Sequence, residues 1–156
     1  MDLLKKIEED LKKALKAQDK NAVSTLRFLL AAIRNFEIEK QKEITDEEVI
    51  QIIQKQIKLR KESIAAFQAG GRQDLAQKEE SEAEILSKYL PQQLTEDQLR
   101  EIVDQTIKEL KAGRPAELVG PQDFGKVMRE VMVRVKGKAE GSQVAEVVKK
   151  TLQSFN

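Results

Sequence analysis

The chain has 156 residues and a formal net charge of +1, and its charged and hydrophobic fractions are 35% and 40%. It contains neither cysteine nor histidine. This excludes disulfides and thiolate chemistry, and it removes the commonest neutral-pH base and metal ligand. The longest apolar run, 28–33, is too short for a signal sequence or a membrane span. We therefore expect a cytoplasmic protein with no familiar catalytic site, no metal and no cofactor.

The composition predicts an all-α protein, because aromatic residues are few and Leu, Ile, Lys, Glu and Gln are abundant. Apolar residues at spacings of three and four indicate two initial helices joined by a turn at 19–21. Their apolar positions are Leu4, Ile7, Leu11 and Leu15, then Val23, Leu26, Leu29, Leu30, Ile33 and Phe36. A third helix starts at the capping box Thr45–Glu48 and stops at Gly70, and an acidic fourth helix spans about 72–89. Long helices with short connections favour an antiparallel hairpin or bundle, which we assign to an N-terminal domain at 1–90.

Pro91 marks the predicted boundary between two domains, because the residue before a proline avoids the helical conformation. A second capping box, Thr95–Gln98, starts a fifth helix, and a loop rich in Gly and Pro follows at 112–122. The last helix is expected at about 142–155. Residues 94–156 therefore form a predicted tail domain of three helices.

The most informative stretch is 123–144, where an apolar helical stripe ends in a basic turn. The stripe of this sixth helix comprises Phe124, Val127, Met128, Val131, Met132 and Val135. The candidate nucleic-acid-binding residues on the other face and in the turn are Lys126, Arg129, Arg134, Lys136, Gly137 and Lys138. Between 124 and 138 five cations oppose one acid, Glu130, so the local charge is five minus one, or +4. A polyanion suits this corner, although an ordinary solvated helix face explains the charges about equally well.

Residues 120–127 nearly match the phosphate-binding loop G-x-x-x-x-G-K-[ST], but the match fails in detail. Val127 replaces the hydroxyl that holds magnesium, and Pro121 lacks a backbone N–H that such a loop needs. Asp123 also begins a kinase-like Asp-Phe-Gly tripeptide. It is better explained as an N-cap whose carboxylate accepts N–H bonds from the first turn of the sixth helix.

Two other polar clusters are interpreted as solvated helix faces. The acidic cluster on the fourth helix comprises Glu79, Glu80, Glu82 and Glu84. Metal binding there is disfavoured, because ligands usually come from several elements. The basic cluster on the third helix comprises Gln51, Gln54, Lys55, Lys58, Arg60 and Lys61. A second contact surface for an extended anion is the alternative for this cluster.

Two motifs resemble a known family. The first runs from Gly125-Lys126-Val127-Met128 through Val131-Met132 to Lys136-Gly137-Lys138-Ala139, and an apolar last helix follows. The second is Tyr89-Leu90-Pro91 with Gln93-Leu94-Thr95 at the domain junction. Over nearly its whole length the chain resembles the YqeY proteins. These are the free-standing form of the GatB/YqeY domain that closes the GatB subunit of tRNA-dependent amidotransferases.

This resemblance implies a helical hairpin domain, a compact three-helix tail, and tRNA as the partner. In the amidotransferase the corresponding tail reaches the outer, elbow side of the tRNA. Lys126 and the turn at 136–138 match the family's motif, whereas Arg129 and Arg134 are added here on electrostatic grounds. The kinase-like cradle of GatB and the amidase subunit have no counterpart. A carbon-nitrogen ligase activity with glutamine as amide donor is therefore implied only by association.

Three functions fit these residues. The first is a non-catalytic protein that binds tRNA phosphates through the basic face of the tail domain. The second is a helical protein-protein adaptor, which an exposed apolar patch at Phe67, Leu75 and Tyr89 favours. The third is an accessory subunit that supports glutamine-dependent amidation only within a tRNA-amidotransferase complex. The sequence leaves the oligomeric state open.

Overall fold

The structure is a computed structural model that describes residues 2–112 and 120–154. Seven α-helices and no strand lie within these two ranges, which confirms the all-α prediction. The helices are α1 (Asp2–Lys16), α2 (Lys20–Lys40), α3 (Asp46–Ala69), α4 (Gln73–Ser87), α5 (Glu96–Lys111), α6 (Phe124–Val135) and α7 (Gly141–Ser154). A short 3-10 turn, Pro121–Asp123, leads into α6. Most of the loop predicted at 112–122, and the last residues predicted for the final helix, lie outside the described residues.

The chain divides into two compact units, Met1–Pro91 with α1 to α4 and Gln92–Asn156 with α5 to α7. Each unit has its own hydrophobic core. Within the described ranges, none of the helices combines the length and the apolar character needed to cross a bilayer.

The N-terminal unit buries one apolar stripe of each helix, as the spacing of three and four requires. Its buried core comprises Ile7, Leu26, Leu29, Leu30, Ile33, Ile44, Val49, Ile53, Ile57 and Leu86. Two details differ from the prediction. Leu15 is exposed, and the turn between the first two helices lies at 17–19. The turn ends earlier than expected because the Asp19 carboxylate accepts the N–H of Ala22 at 3.1 Å and caps α2.

Both predicted capping boxes are present. The Thr45 hydroxyl accepts the Glu48 N–H at 3.3 Å, and the Glu48 carboxylate accepts the Thr45 N–H at 2.9 Å. Thr95 and Gln98 exchange the same pair of bonds at the start of α5, at 3.2 and 3.0 Å. Each box satisfies two backbone donors that a helix start leaves without partners, so these two helices begin where the sequence predicts.

The acidic face predicted on α4 is not fully solvated. Glu82 is buried, and both Glu79 and Glu82 pair with the guanidinium of Arg60 on α3, the Glu79 contact measuring 3.1 Å. Arg60 therefore points toward α4 and does not belong to a solvated basic face. A buried carboxylate is retained because a cation on the neighbouring helix compensates its charge. No cluster of three metal-ligating side chains occurs in the part of the chain that the structure describes.

The C-terminal unit packs its three helices around one core made mainly of valine and leucine. The buried residues are Leu99, Val103, Ile107, Val127, Val131, Val135, Ala139, Val144, Val147, Val148 and Leu152. Thr106 on α5 is also fully buried, and its hydroxyl donates to the Ile102 carbonyl at 2.7 Å. This local bond satisfies the only hydroxyl that α5 places in the core, so the three helices pack through apolar contacts.

Tyr89, the only tyrosine, ties the end of the N-terminal unit to α1. Its hydroxyl donates to Asp10 Oδ2 at 2.5 Å, and Lys6 Nζ lies 5.8 Å from the ring centroid. Partial burial, followed by the hydrogen bond and the negative charge of Asp10, raises the pKa of the Tyr89 phenol well above its ordinary value.

The contact between Tyr89 and Asp10 can be tested by titrating the phenol. Tyr89 is the only tyrosine and the chain has no tryptophan, so phenolate absorbance reports Tyr89 alone. We expect a midpoint above about 10 in the folded protein and a lower one in Asp10→Asn. Stability should fall as the pH rises above about 10, because the unfolded state releases the tyrosine proton first. Spectrophotometric titration measures the midpoint, and the exposed neighbour Glu9→Gln is the matched control. Equal midpoints for Asp10→Asn and the unmodified chain contradict the contact.

Candidate nucleic-acid interface

Helix α6 presents cations to solvent because its valines repeat at helical spacing. Val127, Val131 and Val135 are fully buried in the core of the C-terminal unit. Lys126 and Arg129 lie on the opposite side and are exposed. Burial of the valines thus fixes which way the two cations face.

The predicted apolar stripe on α6 is wrong at one position. Met132 is 38% exposed and its neighbour Val133 is 59% exposed, whereas Phe124 and Met128 pack partly buried against the core. With 3.6 residues per turn, position 132 is rotated about 100° from the buried Val131. The exposed side of α6 is therefore apolar as well as basic.

The start of α6 also differs from the prediction. The Asp123 carboxylate accepts the N–H of Gly120 at 3.2 Å and makes no bond to the first turn of α6. Asp123 ends the 3-10 turn Pro121–Asp123, so its side chain reaches back along the chain. The predicted cap is replaced by a bond that closes this turn.

The basic turn after α6 is a left-handed corner. Lys136 has a φ of 21° and Gly137 a φ of 79°. The Lys136 N–H donates to the Met132 carbonyl at 3.2 Å, and the Lys138 N–H donates to the Val135 carbonyl at 2.7 Å. Glycine adopts positive φ at little cost, so the chain reverses at Gly137 while both lysines stay exposed.

The start of the C-terminal unit anchors this turn. The Leu94 N–H donates to the Lys138 carbonyl at 2.8 Å, and Gln93 Nε2 donates to the Gly137 carbonyl at 3.0 Å. Leu94 and Ala139 both pack into the same core. The two motifs that carry the family resemblance therefore meet in space, and the junction segment positions the turn.

Arg134 differs from the other cations of the predicted site. Its guanidinium pairs with the Glu109 carboxylate of α5. The hydrogen bond from Arg134, with a second one from Gln105, lowers the pKa of the Glu109 carboxyl below its ordinary value. Glu109 is thus ionised at neutral pH, and its negative charge weakens the attraction of Arg134 for an anion.

Within the described ranges, three cations of the site have no such counter-ion. Among the described residues, no carboxylate lies within 4.0 Å of Lys126, Arg129 or Lys138. Lys136 is exposed in the same turn as Lys138. At 1.5 Å per residue, the distance along α6 from Lys126 to the turn is about 15 Å. We call Lys126, Arg129 and the turn 136–138 the basic face.

Sequence reasoning missed two residues that shape the basic face. Gln93, which holds the turn, lies within the junction motif, so the sequence did contain a signal for it. Glu109, which neutralises Arg134, gave no signal, because its role depends on how α5 packs against α6.

Comparisons with known proteins place the chain among related sequences. The model of the family described as "Yqey-like protein" matches residues 4–152. Three similar proteins carry the name "Altered inheritance of mitochondria protein 41, mitochondrial". The protein of Pyrenophora tritici-repentis is 32% identical over 97% of this chain and 79% of its own length. The protein of Lachancea thermotolerans is 37% identical over 74% of this chain and 64% of its own length. The protein of Kluyveromyces lactis is 36% identical over 81% of this chain and 70% of its own length.

These relatives contradict the expected cytoplasmic location, because all three are named as mitochondrial proteins. The expectation rested on the absence of a signal sequence and of a membrane-spanning run. Those two features separate secreted and membrane proteins from the rest, but they do not separate the cytosol from the interior of an organelle.

The geometry of the turn predicts a contrast between two glycines. Gly137→Ala should destabilise the chain by about 1–2 kcal/mol, because an alanine is strained at positive φ. Gly141→Ala is the control. Gly141 begins α7, has no positive φ, and a side chain there meets nothing within 4 Å. Urea denaturation measures both changes, and an equally stable Gly137→Ala variant contradicts the left-handed turn.

Proposed function

The chain belongs to the YqeY-like family, and from this premise we propose that it is a non-catalytic protein that binds tRNA through the basic face. The contacts are to phosphates, and the elbow side of the tRNA is the proposed docking region. The protein acts either alone or as an accessory component of a tRNA-amidotransferase complex.

One observation carries this proposal. Lys126, Arg129 and Lys138 are exposed without carboxylate partners among the described residues, on a face whose direction is fixed by buried valines and an anchored turn. Because the backbone that carries these cations is already fixed, binding of a polyanion has to order only their side chains. Neutralising phosphates also releases counterions, which supplies the free energy of binding.

The basic face supports recognition of shape and not of base sequence. The chain has no tryptophan and one tyrosine, and Tyr89 belongs to the N-terminal unit. On α6 the aromatic side chain, Phe124, is partly buried in the core. Sequence-specific RNA binding usually stacks unpaired bases on aromatic rings, so phosphate contacts on a folded RNA are the better match.

The amidotransferase association is the second part of the proposal. The basic face has no thiol, hydroxyl, imidazole or carboxylate, so carbon-nitrogen ligase activity with glutamine as donor is assigned to other subunits of the complex. The exposed apolar patch that would favour the adaptor alternative is weak, because Phe67, Leu75 and Tyr89 are each only partly exposed. Co-purification of an amidase component on tagged protein tests the accessory role separately from RNA binding.

The basic face predicts a salt-dependent affinity for folded tRNA. With three phosphate contacts, log affinity should fall with log salt at a slope of about −3, and the combined change Lys126→Gln, Arg129→Gln and Lys138→Gln should remove most of it. Fluorescence anisotropy at several salt concentrations measures the slope. An unstructured RNA of equal length should bind less tightly than the folded tRNA.

The matched control removes the same charge from α1, through Lys5→Gln, Lys12→Gln and Lys16→Gln. These lysines are exposed and lie in the N-terminal unit. If both triple variants lose affinity equally, binding follows net charge alone and the proposed face is wrong.

Arg134 provides a second test within the same face. Arg134→Gln should change the salt slope by less than one unit, because Glu109 already neutralises its charge. Glu109→Gln should instead steepen the slope by up to about one unit, since it releases Arg134. A loss of affinity in Glu109→Gln is the opposite of this expectation.

A further inference from the structure

The N-terminal unit contains a surface cavity between α2, α3 and α4 that the proposed RNA contact does not use. Its volume is about 380 Å³, which is within the range of ligand pockets. The lining residues are Ser24, Phe28, Gln56, Leu59, Arg60, Ser63, Glu79 and Glu82. We call this the α2–α4 cavity.

Two large apolar side chains line the cavity while remaining in contact with solvent. Phe28 of α2 is 62% exposed and Leu59 of α3 is 53% exposed. The Arg60 guanidinium lies 5.9 Å from the Phe28 ring centroid, so the ring is positioned beside a charged group. Single exposed apolar residues are common, but two of them at one cavity form a surface on which an apolar group can bind.

The polar part of the cavity carries an excess negative charge. Glu79 and Glu82 together bear two negative charges against the single positive charge of Arg60, which leaves one negative charge among the lining residues. The Glu79 side chain is partly exposed, so its carboxylate is accessible to an incoming cation.

Two buried polar atoms at this cavity have no hydrogen-bond partner among the described residues. They are Oε1 of Gln56, a residue that is 7% exposed, and Nε of Arg60. One is an acceptor and the other a donor. Buried groups of this kind are normally paired, so the packing of the described side chains leaves the polar part of the cavity incompletely satisfied.

We propose that the α2–α4 cavity docks a segment of a partner protein that presents an apolar side chain beside a lysine or arginine. The apolar side chain packs on Phe28 and Leu59. The cation pairs with Glu79, whose carboxylate is partly exposed. Nucleic acid is disfavoured at this surface, because the two carboxylates repel phosphates.

The test uses a synthetic amphipathic peptide that carries leucine and arginine on one face, titrated into the isotope-labelled full-length protein. We expect NMR shift changes confined to residues that line the cavity. The same peptide with glutamate in place of arginine should bind at least about tenfold more weakly, because like charges then face each other. Glu79→Gln removes the excess negative charge of the cavity, so it should weaken binding of the arginine peptide about fivefold.

Matched variants separate the cavity from general surface hydrophobicity. Phe28→Ser with Leu59→Ser should abolish the shift changes, and both residues are exposed, so folding is preserved. Ile38→Ser is the control, because Ile38 is the more exposed at 74% and does not line the cavity. Circular dichroism verifies that each variant is folded.

Three outcomes overturn the proposal. The first is equal binding of the arginine and glutamate peptides, and the second is shift changes that persist in the Phe28→Ser and Leu59→Ser variant. The third is self-association of the free protein that the same variant removes, which identifies a second copy as the occupant. Changes to the basic face leave this cavity intact, so failure of the tRNA proposal is independent of this result.

Discussion

The hydrogen bond from the Leu94 N–H to the Lys138 carbonyl determines where the basic turn lies. Leu94 is held by the core of the C-terminal unit, and the adjacent Gln93 bonds the carbonyl of Gly137. The turn would otherwise be a loop with a glycine at its centre, and its lysines would sample many positions. Because the backbone of the turn is held by these bonds, the positions from which the two lysine side chains extend are fixed before any partner arrives.

The number of charged residues along the sequence does not show which cations are available to bind an anion. Arg134 pairs with Glu109, and Arg60 pairs with Glu79 and Glu82, although neither arrangement follows from spacing along the chain. Each pairing is set by how one helix packs against another. The net charge of +1 therefore combines two distinct surfaces. On one of them Lys126, Arg129 and Lys138 have no carboxylate partner among the described residues, and on the other carboxylates are in excess.

Local signals in the sequence predicted much of the fold and less of the site. The capping boxes at Thr45 and Thr95 and the buried valines of α6 depend on neighbours within one turn, so the sequence is sufficient to identify them. Asp123 formed a different bond because an unforeseen 3-10 turn precedes α6. The burial of Glu82 was missed because its partner lies on another helix. Contacts of this kind depend on tertiary packing, which the apolar periodicity of a single helix does not predict.

The two units of the chain carry different chemistry, which matches the two proposals made for them. The C-terminal unit offers cations and the N-terminal unit an apolar cavity with net negative charge. The most direct measurement is NMR mapping of the labelled full-length protein during addition of folded tRNA. The account predicts that the largest shift changes fall at Lys126, Arg129 and the turn 136–138. Changes concentrated in α1 to α4, with the turn unaffected, would contradict it.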